Sequence, residues 1–129
     1  MIVVDASAVV ELVLATPPGA AVAQRLRGEA VHAPAHFDVE VMGAVRRAVM
    51  RRLISDHEGL VAVADFLSLP VRRWPTKPFV SRAYQLRSTH SVADGLYIAL
   101  AEGFDVPLVT CDGRLARSHG HDAHIELVA

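Results

Sequence analysis

The sequence predicts an α/β fold, a single-domain three-layer α/β/α sandwich around a mainly parallel sheet of about five strands. Short apolar segments rich in β-branched residues, such as Ile2-Val3-Val4, recur along the chain, and segments with helix start and stop signals separate them. Strands that alternate with helices are typical of a parallel sheet covered on both faces. With 129 residues and no linker or repeat, we expect one domain, residues 1–129.

The chain begins with a strand and two helices. Met1–Val4 is apolar and β-branched, which predicts a strand. Ala6–Leu14 has a helical composition, and the segment Thr16-Pro17-Pro18-Gly19 is predicted to stop it. A second helix, Ala20–Arg27, is predicted to end at Gly28.

A strand and two longer helices follow. Ala30–Ala33 predicts a short strand, and Pro34 opens an amphipathic helix over about Ala35–Leu53, because proline suits the first turn of a helix. The next helix, Ser55–Leu67, starts with the serine as its N-cap and carries Glu58 three residues on. That spacing is the pattern of a capping box.

The remaining third of the chain alternates strands with helices. After Ser91 as N-cap, Val92–Glu102 is an almost wholly apolar helix and is predicted to be buried. The other predicted elements are strands Val71–Trp74, Pro107–Thr110 and His124–Val128, helices Phe79–Leu86 and Gly113–Ser118, and a polar loop Ser118–Ala123.

Charge and cysteine content narrow the functional classes. The net charge of −1 argues against a bulk electrostatic nucleic-acid binder. Twelve of the thirteen cationic residues are arginine, which suits phosphate recognition, although a GC-rich coding sequence gives the same bias. The single cysteine, Cys111, excludes an intramolecular disulfide and fits a reducing compartment. With no secretory leader before Met1–Asp5 and no apolar run of membrane-spanning length, we expect a cytoplasmic protein without a membrane partner.

Four acids lie where strands run into helices or where helices begin: Asp5, Glu40, Asp94 and Asp112. Each also has a purely structural explanation. Asp5 and Asp112 suit the N-cap position, and Glu40 complements the dipole of its helix. Asp94 ends the segment Ser91-Val92-Ala93-Asp94, which matches a capping box in sequence.

The predicted sheet brings these acids together, because strand carboxyl ends and the following helix N-termini share one edge. Four carboxylates without a basic partner close in sequence repel one another unless a cation neutralises them. Oxygen ligands favour Mg²⁺ or Mn²⁺, and no histidine or cysteine array is available for zinc at this edge. An acid cluster that holds Mg²⁺ indicates phosphoryl chemistry.

The four acids lie in four segments of the chain, which are VVDASAVVELVL, PAHFDVEVMGAVRR, SVADGLYIALAE and PLVTCDGRLA. In their order and spacing these segments resemble the PIN-domain nucleases and, more narrowly, the VapC toxins of bacterial toxin–antitoxin modules. The resemblance covers the whole chain.

The resemblance implies a Mg²⁺-dependent endoribonuclease, with Mn²⁺ as a possible substitute. Asp5, Asp94 and Asp112 would be the principal metal ligands, Glu40 would complete the cluster, and all four would be catalytic. Activated water would cleave RNA and leave 5′-phosphate and 3′-hydroxyl ends. The hydroxyl positions that match Ser7 and Thr110 would support the site. The family also implies two protein partners, a second copy of the chain and a small antitoxin.

Other polar residues are weaker candidates. Arg47 and Arg51 lie on the helical face of Glu40 and are possible RNA-phosphate contacts or a solvated stripe, and the same holds for the pair Arg114 and Arg117 beside Asp112. The rest are expected to be structural or solvent-exposed: Asp38, turned away from Glu40, the loop histidines His119, His121 and His124, the core residues Trp74 and Tyr97, and an unreactive Cys111.

Two rival functions lack a residue that they require, and a third remains open. A phosphatase with an aspartate nucleophile needs a second acid at the position of Ser7, and a receiver-type phosphoacceptor needs a late lysine, whereas the only lysine is Lys77. The alternative from another class is a non-catalytic PIN-like binding module whose acidic pocket docks a basic peptide. The four intact acids argue against it without excluding it.

Overall fold

A five-stranded parallel sheet forms the centre of the protein, as the computed structural model of all 129 residues shows. The strands run in the order β3-β2-β1-β4-β5, and every neighbouring pair is parallel. The predicted fold class is therefore confirmed. The strands are β1 (Ile2–Val4), β2 (Val31–Pro34), β3 (Val71–Trp74), β4 (Leu108–Thr110) and β5 (Ile125–Leu127).

Seven α-helices connect the strands, and their bounds differ from the predicted ones mainly at the ends. They are α1 (Ala6–Val13), α2 (Pro17–Leu26), α3 (Phe37–Met50), α4 (Asp56–Ser68), α5 (Val80–Gln85), α6 (Val92–Phe104) and α7 (Gly113–Ala116). A single 3₁₀ turn, Lys77–Phe79, precedes α5.

Two differences have clear local causes. The helix predicted to start at Ala20 starts at Pro17, because Thr16 caps it and proline is tolerated in the first turn. The helix predicted to reach Leu53 ends at Met50, since Arg52 adopts a left-handed backbone with φ of 59°. The predicted capping box of Ser55 and Glu58 is present with both of its hydrogen bonds.

The core lies on both faces of the sheet. Every residue of β1 is buried, as expected for the central strand, and α6 is buried at seven consecutive positions, Gly95–Ala101. Burial of that whole length was predicted from its composition. Helix α6 packs on β1 and β2, while α1 packs on α2, α3 and α4. None of the helices combines the length and the apolar character that a membrane span requires; α1 and α2 together have both, but the chain bends by 114° between them.

The strand order creates one topological switch point. From β1 the chain moves outward through β2 to β3, and it then returns to the other side of β1 to form β4 and β5. Right-handed crossovers place the helices of these two directions on opposite faces, so the switch point lies beyond the carboxyl ends of β1 and β4, where α/β proteins generally bind ligands. Asp5 follows β1 and Asp112 follows β4 at that switch point.

Candidate active site at the carboxyl edge of the sheet

Asp5 is the buried acid of this edge, with only 5% of its surface exposed. As N-cap of α1 it accepts a hydrogen bond from the Ala8 amide, and the Ser7 hydroxyl donates to the same oxygen, Oδ1, at 2.8 Å. The Thr110 hydroxyl donates to Oδ2 at 2.9 Å. Burial outweighs these three hydrogen bonds and raises the pKa of Asp5 from 3.8 to about 6. The site therefore holds a carboxylate whose charge is costly without a nearby cation.

Ser7 and Thr110 join the ends of β1 and β4. Their hydroxyl oxygens lie 3.1 Å apart, and both hydroxyls contact Asp5. The Cys111 amide donates to Ser7 Oγ at 3.0 Å, and the Asp112 amide donates to Thr110 Oγ1 at 2.9 Å. The two predicted supporting residues thus fix the backbone of the Asp112 segment relative to Asp5.

Asp112 and Asp94 share a basic partner, Arg114. One guanidinium nitrogen, Nη2, lies 3.2 Å from Asp94 Oδ2 and 3.4 Å from Asp112 Oδ2. The prediction that no basic partner lies close in sequence is therefore wrong, because the first turn of α7 turns Arg114 back toward the acid two residues before it. The side chain of Arg114 remains 74% exposed, so this contact is solvated and weak.

The helix-capping roles predicted for Asp112 and Asp94 are only partly present. Asp112 caps α7 by accepting from the amides of Arg114 and Leu115. Ser91 caps α6 by accepting from the Asp94 amide at 3.1 Å. The Asp94 carboxylate makes no return bond to Ser91, so half of the capping box is missing and this carboxylate faces Arg114 instead.

Glu40 lies in the first turn of α3, where Tyr97 from α6 reaches it. The Tyr97 hydroxyl donates to Glu40 Oε1 at 2.7 Å, and His36 Nε2 lies 3.4 Å from the same oxygen. Burial and the Glu40 carboxylate both raise the pKa of Tyr97, so its hydroxyl keeps its proton and stays a donor. Tyr97 is 1% exposed, as a core residue should be, but it also contacts a candidate site acid.

The acids form a linked set rather than a closed cage. Thr110 connects Asp5 to Asp112, and Arg114 connects Asp112 to Asp94. No group of three or more acidic, histidine or cysteine side chains is close enough to hold one ion. The donor chemistry nevertheless fits Mg²⁺ or Mn²⁺, because the ligands are carboxylate oxygens and two of them already hold a guanidinium between them.

Apart from Arg114 and Tyr97, the weaker candidates contribute no side-chain hydrogen bond or ion pair to this set. Asp38 forms an ion pair with Arg73 of β3, and His121 bonds to Ser118 and to the Ala123 amide. Burial raises the pKa of the Cys111 thiol to about 11, which disfavours a nucleophilic thiolate. Trp74 donates a hydrogen bond to His32, and His124 lies 3.8 Å from Glu126. The other candidates make no ion pair and are exposed: Arg47, Arg51, Arg117 and His119.

Comparison with known proteins decides the family. The PIN domain family model matches residues 2–119. The chain belongs to the PIN-domain family. Among relatives of this PIN domain, Ribonuclease VapC12 of Mycobacterium tuberculosis is 79% identical over 129 residues, 100% of each chain. Ribonuclease VapC1 of the same species is 39% identical over 128 residues, 98% of this chain and 96% of the relative. The chain is thus a PIN domain of the VapC ribonuclease group.

Solved structures show the same PIN fold. Mycobacterium tuberculosis VapC20, described as a sarcin-ricin loop cleaving toxin, superposes with a TM-score of 0.65 at 16% identity and covers 90% of this chain and 93% of its own. FitAcB from Neisseria gonorrhoeae gives a TM-score of 0.65 at 21% identity, with 89% and 90% covered. At these identities the likeness concerns the fold.

Three residues at the PIN-domain site were missed or underrated from sequence: Arg114, Tyr97 and His36. Each had a signal in its spacing. Arg114 follows Asp112 by two residues, Tyr97 follows Asp94 by three on the same helix, and His36 precedes Glu40 by four. Apolar neighbours on α6 favoured the interpretation of Tyr97 as a core residue, which hid its polar end.

Proposed function

We propose that this PIN domain is a Mg²⁺-dependent endoribonuclease, able to use Mn²⁺, that hydrolyses RNA phosphodiester bonds. The observation that carries the proposal is the position of Asp5, Asp94 and Asp112 around the switch point of the sheet, with a guanidinium held between two of them. An edge that attracts one cation is suited to another. Glu40 accepts a hydrogen bond from Tyr97, which lies on the same helix as Asp94.

In this proposal Asp5, Asp94 and Asp112 hold the metal, directly or through water, and Glu40 completes the cluster. A bound Mg²⁺ supplies polarisation of water and charge stabilisation on the phosphate. Asp5 is held in one orientation by Ser7, Thr110 and the Ala8 amide. Its raised pKa means that burial shifts Asp5 toward the protonated acid, whereas a divalent ion favours the carboxylate.

The substrate would lie across an open edge. The side chains of Asp94 and Asp112 are 20% and 32% exposed, so both reach solvent at this edge. An exposed edge suits a polymer better than a small metabolite. Arg47 follows Glu40 by seven residues on the same face of α3, about 10 Å along the axis, and Arg51 is the C-cap residue of that helix, about 16 Å along the axis. Both would contact flanking phosphates.

The chemistry of the product ends tests this mechanism. Water attacks phosphorus, the bond from phosphorus to the 3′ oxygen breaks, and the water proton ends on that oxygen. RNA incubated with protein and Mg²⁺ should therefore acquire 5′-phosphate ends that ligate to an adaptor without kinase treatment, and 3′-hydroxyl ends. Products with 5′-hydroxyl and 2′,3′-cyclic phosphate ends would instead indicate attack by the RNA 2′-hydroxyl and overturn the proposal.

The biological role we propose is that of a cytoplasmic toxin, which forms a homodimer and is held inactive by a small antitoxin. Support comes from its place among VapC ribonucleases. Induced expression should arrest growth, and Asp5→Ala should relieve the arrest at an unchanged protein level. Co-expression with the cognate antitoxin should also relieve the arrest. Arrest that persists in the Asp5→Ala variant would contradict the role.

A non-catalytic binding module is the second candidate, and the Arg114 contact favours it. A site whose carboxylates hold the chain's own guanidinium could dock a basic peptide in the same way. The two candidates separate on purified protein. Tight binding of an arginine-rich peptide together with no cleavage of any RNA in Mg²⁺ would support the module, whereas cleavage lost in Asp5→Asn would support the nuclease.

A further inference from the structure

The carboxylate of Glu40 is oriented by residues from outside its own turn of helix. Tyr97, on α6, donates to Oε1 at 2.7 Å, while Oε2 accepts no hydrogen bond from the protein. Tyr97 is 1% exposed and is packed among the core residues on both sides, so its hydroxyl has little freedom to move. One oxygen of Glu40 is thus fixed by a buried donor, and the other is left for a ligand.

His36 supports this arrangement from the residue before α3. Its ring packs on Tyr97 with the ring centroids 4.8 Å apart. Its Nε2 lies 3.1 Å from the Ala93 carbonyl, and since a carbonyl only accepts, Nε2 carries the hydrogen. His36 therefore ties the start of α3 to the first turn of α6, next to Asp94.

The same histidine has an unusual feature. Its Nδ1 atom is buried and has no hydrogen-bond partner. Leaving a buried polar atom unpaired costs stability, so such atoms are rare and tend to mark sites shaped by another requirement. The position of the ring is therefore better explained by its contacts with Tyr97 and Ala93 than by the stability of the fold.

We propose that Tyr97 is a positioning residue for Glu40: its hydroxyl holds Oε1 so that Oε2 remains for the divalent ion, and His36 holds Tyr97 in place. This inference rests on the proposed metal-dependent function. In other metalloproteins, residues that hydrogen-bond to a metal ligand fix the orientation of that ligand, and Tyr97 would do the same for Glu40.

Replacing Tyr97 by Phe removes the hydroxyl and keeps the packed ring. We expect Mn²⁺ binding, measured by isothermal titration calorimetry, to weaken about tenfold in Tyr97→Phe. The chain offers a matched control, because Tyr84 is its only other tyrosine and is exposed on α5. Tyr84→Phe should bind Mn²⁺ as tightly as the wild type, and both variants should keep the wild-type melting temperature in EDTA.

A double-mutant cycle separates positioning from a general loosening of α6. Glu40→Gln should weaken Mn²⁺ binding, and adding Tyr97→Phe to it should cause no further loss, because the hydroxyl acts through the carboxylate. An equal loss in both backgrounds would overturn the inference. So would Mn²⁺ binding by Tyr97→Phe that matches the wild type.

Two further readouts cover failure of folding and of function. If Tyr97→Phe does not fold, the Tyr84→Phe protein keeps Tyr97 as its sole tyrosine, and Mg²⁺ should change its near-ultraviolet tyrosine absorbance. That change should be lost when Glu40→Gln is added, and an absence of any change would overturn the inference. A wild type that binds no Mn²⁺ and cuts no RNA would overturn the proposed function as well. A wild type that does both, beside an unaffected Tyr97→Phe, would overturn the inference alone.

Discussion

The Asp5 carboxylate is both buried and hydrogen-bonded, and these two properties shift its pKa in opposite directions. Burial prevails and raises its pKa from 3.8 to about 6. Because the folded state disfavours the charged form, the contribution of Asp5 to the stability of the metal-free protein should fall as the pH rises from about 4 to above 6. The full shift is equivalent to about 3 kcal/mol.

Asp5→Asn should remove this loss. The variant has no carboxyl group to ionise at this position, so its free energy of unfolding should increase relative to that of the wild type as the pH rises. Urea denaturation in EDTA at pH 4.5 and pH 7.5 measures the difference. Because the other titratable groups are common to both proteins, their contributions cancel, and parallel pH profiles would contradict the effect of burial on Asp5.

Arg114 is the cation that Asp94 and Asp112 hold between them, and a divalent ion would compete with it. Arg114→Gln should therefore tighten Mn²⁺ binding at low salt by about two- to fivefold, the equivalent of an exposed ion pair. Arg117→Gln removes the same charge from the same helical turn without touching the acids, so it should tighten binding less. Equal effects of the two variants on the calorimetric affinity would show that net charge alone matters.

At the level of elements, the first turn of α6 has two separable functions. Ser91 caps the helix, so Ser91→Ala should cost about 1 kcal/mol of unfolding free energy in EDTA. Asp94 contributes only its backbone amide to that cap, so Asp94→Asn should leave the metal-free stability unchanged. It should nevertheless reduce the rise in melting temperature that Mg²⁺ produces. A metal-free loss in Asp94→Asn as large as that in Ser91→Ala would mean that the carboxylate serves the helix instead.

Helix α3 leads away from Glu40, and Arg47 and Arg51 continue its face. Replacing both with Ala should weaken RNA binding and flatten its dependence on log salt by up to about two phosphate contacts, roughly 0.7 in slope for each on single strands. Cleavage at saturating RNA should change little. The control is Arg46→Ala with Arg52→Ala, which changes the net charge equally off that face and beyond the helix end. If RNA binding depends equally on salt in the two double variants, the RNA does not contact Arg47 and Arg51 and binds at another surface.

Across the whole molecule, the sequence was sufficient wherever a periodic pattern or a cap decided the structure. The five strands, the buried α6 and the capping box of Ser55 and Glu58 all follow from local patterns. The proximity of the Asp5 and Asp112 segments was also predictable, because the carboxyl ends of parallel strands lie at one edge of the sheet. Their contact through Thr110 is the direct result of β1 and β4 being neighbours.

What the sequence could not provide was the direction of long or bifunctional side chains. Arg114 was expected beside Asp112, but its reach to Asp94 depends on how α7 and α6 meet, which no local pattern encodes. Tyr97 has an apolar ring and a polar hydroxyl, and the apolar pattern of its helix predicts burial of the ring but not the hydrogen-bond partner of the hydroxyl. Helix ends at Pro17 and Met50 were misplaced for a similar reason, since a single cap or a single left-handed residue decided them.

RNA cleavage by purified protein under controlled metal tests the proposed activity most directly. A labelled total-RNA sample should be cut by the wild type in Mg²⁺ or Mn²⁺, remain intact in EDTA, and be cut again when Mg²⁺ is restored in excess. The Asp5→Asn variant, folded by its melting temperature, should lose nearly all cleavage, because the buried ligand of the metal is gone. Cleavage that continues in EDTA, or that Asp5→Asn retains at the wild-type rate, would contradict a metal-dependent nuclease built on these acids.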